Sequence, residues 1–516
     1  MANVTVSEKG KRNATSTAAD GTFTINVANT GAVLVFSFVG FTSQELRVGE
    51  QTNVSVTLQS SRTDLSEVVV IGYGSRRKES LTGAISTVTS KDLDRVHGGS
   101  TVSSGLAGKL PGVSFRMPDG RPGASANIQI RNMGNPLYVI DGIQQDAGQF
   151  NNIAPNDIES ITVLKDASAA IYGVRAANGV VVVTTKRGKT GVPAVNIDGF
   201  YGGQNWVRFP RVMTNSYDYM RYKADAEMNG LSQSTGITPA ELERYKAGTE
   251  PGYQSFDWRD FILKPNAPLT SINANVTGGT ENVKYYISGT RLDQNSVLGR
   301  EYKFGRSNIQ SNLDARITKR LRVGVQVNGR QETRTNPGVP GGDDYWLPRF
   351  AVLRNLPTER PYANDNPEYL NTIGQNDANW GFINYKYAGK FHQEWRVLQT
   401  NADVEYQIPG ITGLSVKGVY SYYIADLLYN NQEYTYKTYT YRPATDTYDH
   451  TGGSINPWRE KEQIKQINTT TQVQLAYNNN FGDHTVGAVL VNERISQQRR
   501  RNWVRSIPAS NALPLI

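Results

Sequence analysis

From residue 191 onward the links between candidate strands alternate between a few residues and tens of residues, a sorting that few folds have reason to produce. Nine candidate strands fall near 194–205, 268–279, 282–293, 306–317, 320–334, 393–407, 411–425, 466–480 and 483–498. Thr280-Glu281, Thr318-Lys319, Ile408–Gly410 and Phe481-Gly482 close every second gap, whereas 206–267, 335–392 and 426–465 are long. Inside the strands side chains alternate: Leu321, Val323, Val325 and Val327 make one face aliphatic, while Asn308, Gln310, Asn312 and Asp314 line a polar one. A soluble sandwich alternates too, so that pattern alone decides little. Sorted links are the mark of a transmembrane barrel, with short turns on one side of the bilayer and long loops on the other.

Composition agrees and removes competitors. Among 516 residues Gly (49) and Tyr (28) are abundant, a bias toward strands, turns and aromatic surfaces. No apolar run approaches the roughly 18 residues that a membrane helix needs, and Val68–Ile71 and Val180–Val183 are among the longest. The absence of cysteine removes disulfides, thiolate metal sites and thiol nucleophiles. His97, His392, His450 and His484 lie far apart, without ligand spacing. The net charge of +9 is dispersed over the chain, so no nucleic-acid partner is expected. No paired carboxylates and no Ser, His and Asp set stand in a catalytic context, so neither an enzyme nor a cofactor is implied. The segment after Met1 lacks the basic and apolar regions of a secretion signal.

Ahead of the strands lie three further parts. Residues 1 to about 60 alternate short strand patterns with turns (Val4–Val6, Phe23–Ile25, Val33–Phe38, Thr52–Leu58), a small β-sandwich. Residues 61–75 read SRTDLSEVVVIGYGS, a polar link into a β-branched run suited either to pairing with an exposed sheet edge or to a last sandwich strand. Residues 76 to about 190 form a mixed α/β unit. Its "NPLYVIDG" is a strand closing on an Asp141-Gly142 turn. Its "DIESITVLKDASAAIYGVRAANGVVVVTTKRG" reads as strand, short helix capped at Asp166 and stopped near Gly173, then strand.

These segments carry a resemblance. "TAADGTFTINV" and "LVFSFVGFTSQELRV" resemble the carboxypeptidase-regulatory-like domain, whose usual opening strand is missing here. "LSEVVVIGYG", "PLYVIDG" and "NDIESITVLKDASAAIYGVRAANGVVVVTTKRG" resemble the SusC/RagA class of TonB-dependent outer-membrane transporters. The resemblance implies a TonB box at Glu67, Val68, Val69, Val70, Ile71, Gly72, Tyr73 and Gly74. It implies a plug whose motif residues are Arg131, Pro136, Leu137, Tyr138, Asp141, Gly142, Lys165, Asp166, Tyr172, Gly173, Arg175, Asn178 and Gly179. One departure is visible: Arg131–Gly134 runs directly into Asn135-Pro136, where the family has a longer Gly/Ser/Asn segment.

The resemblance also implies partners: TonB with its ExbB/ExbD complex, a SusD-like surface lipoprotein, and an oligosaccharide or peptide ligand. The protein would sit in the outer membrane with its first domain and box in the periplasm. A receptor that mainly signals, or a surface adhesin, are the competing readings. In the long loops Asp343, Asp344, Tyr345, Trp346, Asp377 and Trp380, with the YANDNPEY segment Tyr362–Tyr369, place carboxylates and amides beside aromatics. Such groups can stack and hydrogen-bond a sugar or hold a calcium ion, or simply form solvated turns. Tyr420, Tyr422 and Tyr423 are expected in an interfacial aromatic girdle, and Arg499–Arg501 in an outer loop as a solvated basic stretch, with contact to lipid phosphate the alternative. The expected fold is mainly β: sandwich, mixed α/β plug, and an incomplete antiparallel barrel. Its nine strands fall short of the 22 at which plugged transporters of this kind close.

Overall fold

The computed structural model describes residues 2–506 apart from 3, 12, 28, 39, 40, 42, 59–67, 72, 73, 78–84, 94–98, 119, 166, 208, 232–235, 339–345, 375–380, 382, 383, 455, 456 and 483. The chain divides into two units, Met1–Thr82 and Gly83–Ile516.

In the first unit β1 (Thr5–Glu8), β2 (Ala14–Ser16), β3 (Val33–Ser37) and β4 (Gln44–Arg47) form an antiparallel sheet in the order β2-β1-β3-β4. Val4, Val6, Leu34 and Phe36 turn inward, and Phe23, Ile25, Val27, Val54, Val56 and Leu58 pack against them. The expected strands at 23–25 and 52–58 bury alternate residues as a strand would, yet they join no ladder. Alternation reports which side chains are buried, whereas a ladder also needs a partner backbone that the pattern does not specify. Farther on, β5 (Val68–Ile71) pairs antiparallel with β6 (Gly74–Arg77), Ile71 opposite Gly74.

The second unit opens with β7 (Ile85–Thr89), β8 (Val113–Arg116), β9 (Asn127–Ile130), β10 (Leu137–Ile140), β11 (Ile143–Gln145), β12 (Ile158–Leu164) and β13 (Val180–Thr185). β8 pairs with β9, and the others form a sheet in the order β11-β10-β13-β12-β7, in which only β10 and β13 run parallel. Val180–Val183 is a continuous β-branched run because both faces of this central strand are covered. Ile130, Phe150, Ile158, Ile161 and Val163 belong to the same core. Between β12 and β13 the expected single helix is instead two 3₁₀ pieces, Ala167–Tyr172 and Val174–Ala176. Gly173, at φ 73°, separates them, and Asp166 lies outside the described residues.

The wall follows: β14 (Gly191–Gln204), β15 (Ala267–Gly279), β16 (Val283–Ser296), β17 (Gly299–Arg316), β18 (Leu321–Pro337), β19 (Gly389–Gln407), β20 (Leu414–Glu433), β21 (Tyr436–Arg442), β22 (Thr447–Ser454), β23 (Trp458–Phe481) and β24 (His484–Ser506). Nine of these make one antiparallel sheet in the order β14-β15-β16-β17-β18-β19-β20-β23-β24, while β21 and β22 form a separate hairpin. The sheet is open, with β14 and β24 as its edges.

The burial pattern of the wall inverts that of a soluble protein. Ile272, Ile287, Ile309, Leu398 and Val473 face outward, Ile309 at 64% exposure, while Asn273, Ser288, Asn308, Gln310, Asn312 and Gln472 face inward, Asn312 at 0%. An apolar exterior around a polar interior is stable where lipid replaces water outside. Farther along the same outer face charge returns, with Arg291 paired to Asp293 and Arg396 to Glu394. Tyr420 and Tyr422 face outward, but Tyr423, one residue on, turns inward and is buried. Arg499–Arg501 lie within β24 rather than in a loop, and Arg501 pairs with Glu462 of β23.

Most strands run beyond their expected ends, and chiefly on the long-loop side. The long links are also partly folded, with helices Ser216–Leu231, Pro239–Ala247 and Trp346–Arg354. Trp258, Ile262, Tyr302, Val352 and Ile373, drawn from separate loops and a strand end, share a small core of their own.

Candidate functional site

The plug meets the wall through polar side chains, and the plug's tight turns aim them. Asp141 (φ 49°) and Gly142 (φ 85°) form the two-residue turn between β10 and β11, the left-handed pair that Asp-Gly adopts readily. The Asp141 carboxylate accepts hydrogen bonds from the Thr185 amide (3.0 Å) and hydroxyl (2.6 Å), tying the turn to the end of β13. Arg187, just beyond, lies 3.7 Å from Asp141 and 3.5 Å from Asp314 of the wall. Asp314 in turn pairs with Arg322 (2.7 Å), which also reaches Asp403 (2.7 Å). A charged chain thus runs from the turn of the plug across three wall strands.

A second contact group begins at Asp146, which caps the helix Ala147–Asn151 by accepting from the Gln149 amide (2.8 Å). The cap orients Gln149, whose side chain accepts from Arg330 (2.9 Å) and donates to Tyr423. At the end of this helix Asn152 accepts from Arg306 (2.9 Å) and, through its carbonyl, from Asn308 (2.8 Å). Asn312 donates to the Thr185 hydroxyl (3.0 Å) and the Lys186 carbonyl (2.6 Å). Between the groups lies a cavity of about 30 Å³, lined by Asp141, Gln149, Thr185, Gln310, Gln326 and Asn401 among others, enough for one or two waters.

Asp157 is the most buried carboxylate of this seam. It ends the short turn Pro155–Asp157 and accepts from Tyr286 (2.9 Å) and Ser288 of β16. Burial pushes its pKa above the ordinary carboxylate range, against the pull of both hydroxyls and of Lys186. A carboxyl so raised favours the docked plug most at pH below its ordinary range, and that contribution is lost as pH rises through the raised value. Asp157→Asn keeps an acceptor and removes the charge, so we expect it to flatten this pH dependence of thermal unfolding. Asp157→Ala removes the acceptor that the Tyr286 and Ser288 hydroxyls share, although the Tyr286 hydroxyl also bonds the Asn156 carbonyl (3.4 Å), and should cost about 1–3 kcal/mol.

The structure places the expected plug residues as follows. Arg131 (φ 51°) and Asn132 (φ 58°) make a tight turn after β9, which is how the chain reaches Asn135-Pro136 without a longer loop. Leu137 and Tyr138 begin β10, and Tyr138 stacks on Phe150 at 4.8 Å; burial pushes its phenol up to about 12. Lys165 donates to Ser86 (2.6 Å) and the Pro111 carbonyl, Arg175 to Gln144 (3.0 Å), and Asn178 to the Asn135 carbonyl (3.2 Å). Tyr172 is buried, and Gly179 (φ 87°) sits where a Cβ would come within 2.7 Å of Ile130. Of this set Asp141 lies on the seam itself, beside the Gly142 carbonyl that accepts from Gln472 (3.3 Å).

In the box, the Val68–Ile71 and Gly74 backbones lie in the β5–β6 hairpin, while Glu67, Gly72 and Tyr73 fall outside the described residues. So do Asp343, Asp344, Tyr345, Asp377 and Trp380; Trp346 starts the helix Trp346–Arg354. Asp365 of the YANDNPEY segment pairs with Arg360 (2.7 Å). Among the described residues no group of three or more His, Asp and Glu is placed to hold a metal ion. Sequence reasoning missed Gln149, Asp157 and their wall partners. Arg330, between Asn328 and Glu332, leaves the signal of a polar residue whose neighbours two away are also polar, whereas Gln149 and Asp157, with Ala147 and Pro155 two residues before them, leave none of that kind.

Comparison with known proteins agrees with this architecture. Residues 77–180 match the TonB-dependent receptor plug domain and residues 1–70 the CarboxypepD_reg-like domain. The TonB-dependent receptor P26 of Formosa agariphila is 36% identical over 374 residues, covering 69% of this chain and 35% of the relative. The TonB-dependent receptor SusC of Bacteroides thetaiotaomicron is 34% identical over 415 residues, covering 75% of this chain and 38% of the relative. The chain therefore spans well under half the length of these relatives. Among solved structures, the RagAB peptide importer in its open-open state superposes with a TM-score of 0.67 at 21% identity, over 87% of this chain and 51% of that one. With a regulatory-like domain, a plug and an open run of barrel strands in that order, the chain belongs to the SusC/RagA-type TonB-dependent transporters.

Proposed function

We propose that the complete protein imports an oligosaccharide across the outer membrane, driven by TonB. The polar plug–wall seam carries this reading: a plug held by hydrogen bonds and ion pairs rather than by apolar packing can exchange them for water as it moves. The outer membrane has no nucleotide supply, so the force comes from the inner membrane through ExbB/ExbD and TonB. The box Glu67–Gly74, in the periplasm with the first domain, adds a strand to TonB, and the pull displaces part of the plug. A SusD-like surface lipoprotein retains cargo above the barrel, whose apolar outer face meets lipid. The inner wall's amides offer donors and acceptors without net charge, which suits sugar hydroxyls.

A peptide cargo is the second reading, since RagAB, whose fold the chain shares, is a peptide importer. Accumulation of labelled neutral oligosaccharides and of labelled peptides, in cells with and without TonB, separates the two. Oligosaccharide accumulation that vanishes without TonB is the expected result; uptake that persists without TonB would overturn the mechanism.

A further inference from the structure

The hairpin of β21 and β22 is built from an unusual set of side chains. Residues 436–454 read YKTYTYRPATDTYDHTGGS, with no Val, Ile, Leu, Met or Phe. Tyr441 stands opposite Tyr448 and Tyr439 opposite His450, so these four share one face. Tyr369, from the preceding long link, lies on that face. Its ring centroid is 4.0 Å from that of Tyr448, the planes within 7°, and 5.0 Å from that of Tyr439. Tyr441 extends the row, 5.2 Å from Tyr448.

The row is fixed in place but not covered. Tyr439 donates from its amide to the Leu370 carbonyl (2.7 Å) and accepts from the Thr372 amide (3.0 Å), and the Thr372 hydroxyl bonds Thr438 (2.9 Å). Tyr369, Tyr439, Tyr441 and Tyr448 nevertheless all remain partly exposed. A cross-strand tyrosine pair would suffice to hold a hairpin. A third ring brought in from another loop enlarges the aromatic surface instead.

The chemistry narrows the ligand. Electron-rich ring faces attract polarised C–H bonds, such as those on the flat side of a sugar ring. Arg442 pairs with Asp449 (2.8 Å) and the Tyr441 hydroxyl donates to Asp446 (3.0 Å), which favours a neutral guest over a charged one. The absence of Val, Ile, Leu, Met and Phe from the hairpin argues against an apolar protein anchor. We propose that the face formed by Tyr369, Tyr439, Tyr441 and Tyr448 is a stacking site for a neutral oligosaccharide, carried on the long-loop side of the wall. It rests on the oligosaccharide reading above and gives that reading a place.

The test uses the complete transporter in detergent, without its lipoprotein, on an array of neutral oligosaccharides, with calorimetry on the best binder. Tyr441→Ala and Tyr448→Ala should each weaken binding roughly tenfold. Tyr441→Phe and Tyr448→Phe, which keep the ring, should stay within about threefold, and so guard against a hairpin that merely misfolds. Binding untouched by the Ala variants, or weakened as much by Phe as by Ala, overturns the site while leaving the import reading standing. If no oligosaccharide binds while TonB-dependent peptide uptake persists, the cargo reading fails together with it.

Discussion

Removing Glu67–Tyr73 from the complete protein is expected to bring uptake down to that of cells lacking the protein, with membrane insertion and ligand binding intact. The segment belongs to the first unit, whereas the hydrogen bonds described for the seam are made by residues of the second. What it removes is a backbone. β5 is bonded to β6 along one edge and has no ladder partner along the other among the described residues. An added strand would bond to that second edge, where main-chain groups supply the affinity. Successive residues direct their N–H groups to opposite edges, so proline at Val69 and at Val70 should differ. One strips a donor from the free edge and lowers uptake roughly tenfold or more, and the other disturbs the hairpin instead. Alanine at either position, which keeps the donor, should do little. Uptake that survives the deletion would sink the box assignment.

The second large effect is expected at Gly188, in the link between β13 and β14. A Cβ built there would overlap the backbone of β16, lying 2.7 Å from both the Lys284 carbonyl carbon and the Tyr285 oxygen. Backbone cannot swing aside as a side chain can. Gly188→Val should therefore lift the end of the plug from the wall, costing about 3 kcal/mol or more. It should also open the Lys186 and Arg187 contacts to Asn312 and Asp314. Limited proteolysis of the inserted protein would then cut in the plug, where the parent resists; an uncut plug would contradict the close approach.

How much of this could be read in advance depended on which physical signal each element leaves. The nine wall strands and their order were readable because lipid on one side and a wet lumen on the other force strict alternation. The short turns, such as the one between Gly279 and Val283, are too brief to be anything else. The outer ends of the strands were not readable. Past the charged positions Arg291 and Arg396 the outer face is no longer apolar, so the contrast between the two faces fades from the sequence although the ladder continues. For the same reason the β21–β22 hairpin reads as loop in the sequence, since one face is tyrosine and the other polar, with no aliphatic alternation to mark a strand. In the plug, the Asp141-Gly142 turn announced itself through residue type. The seam did not, because Asp157 meets Tyr286 and Gln149 meets Arg330 only after folding brings together segments more than a hundred residues apart.

The strands that outrun their expected ends also set a height. β23, at 24 residues, extends about 80 Å at roughly 3.3 Å per residue, and a tilt of about 40° leaves some 60 Å along the barrel axis. The apolar band needs only about 25 Å of that. More than half of that strand therefore extends beyond the apolar band on the long-loop side, whereas β14, at 14 residues, outruns the band by only about 10 Å. A ligand held at that height in the complete protein would not yet have crossed the bilayer. On the proposed import function, capture there and passage past the plug would be separate events, whose rates need not match.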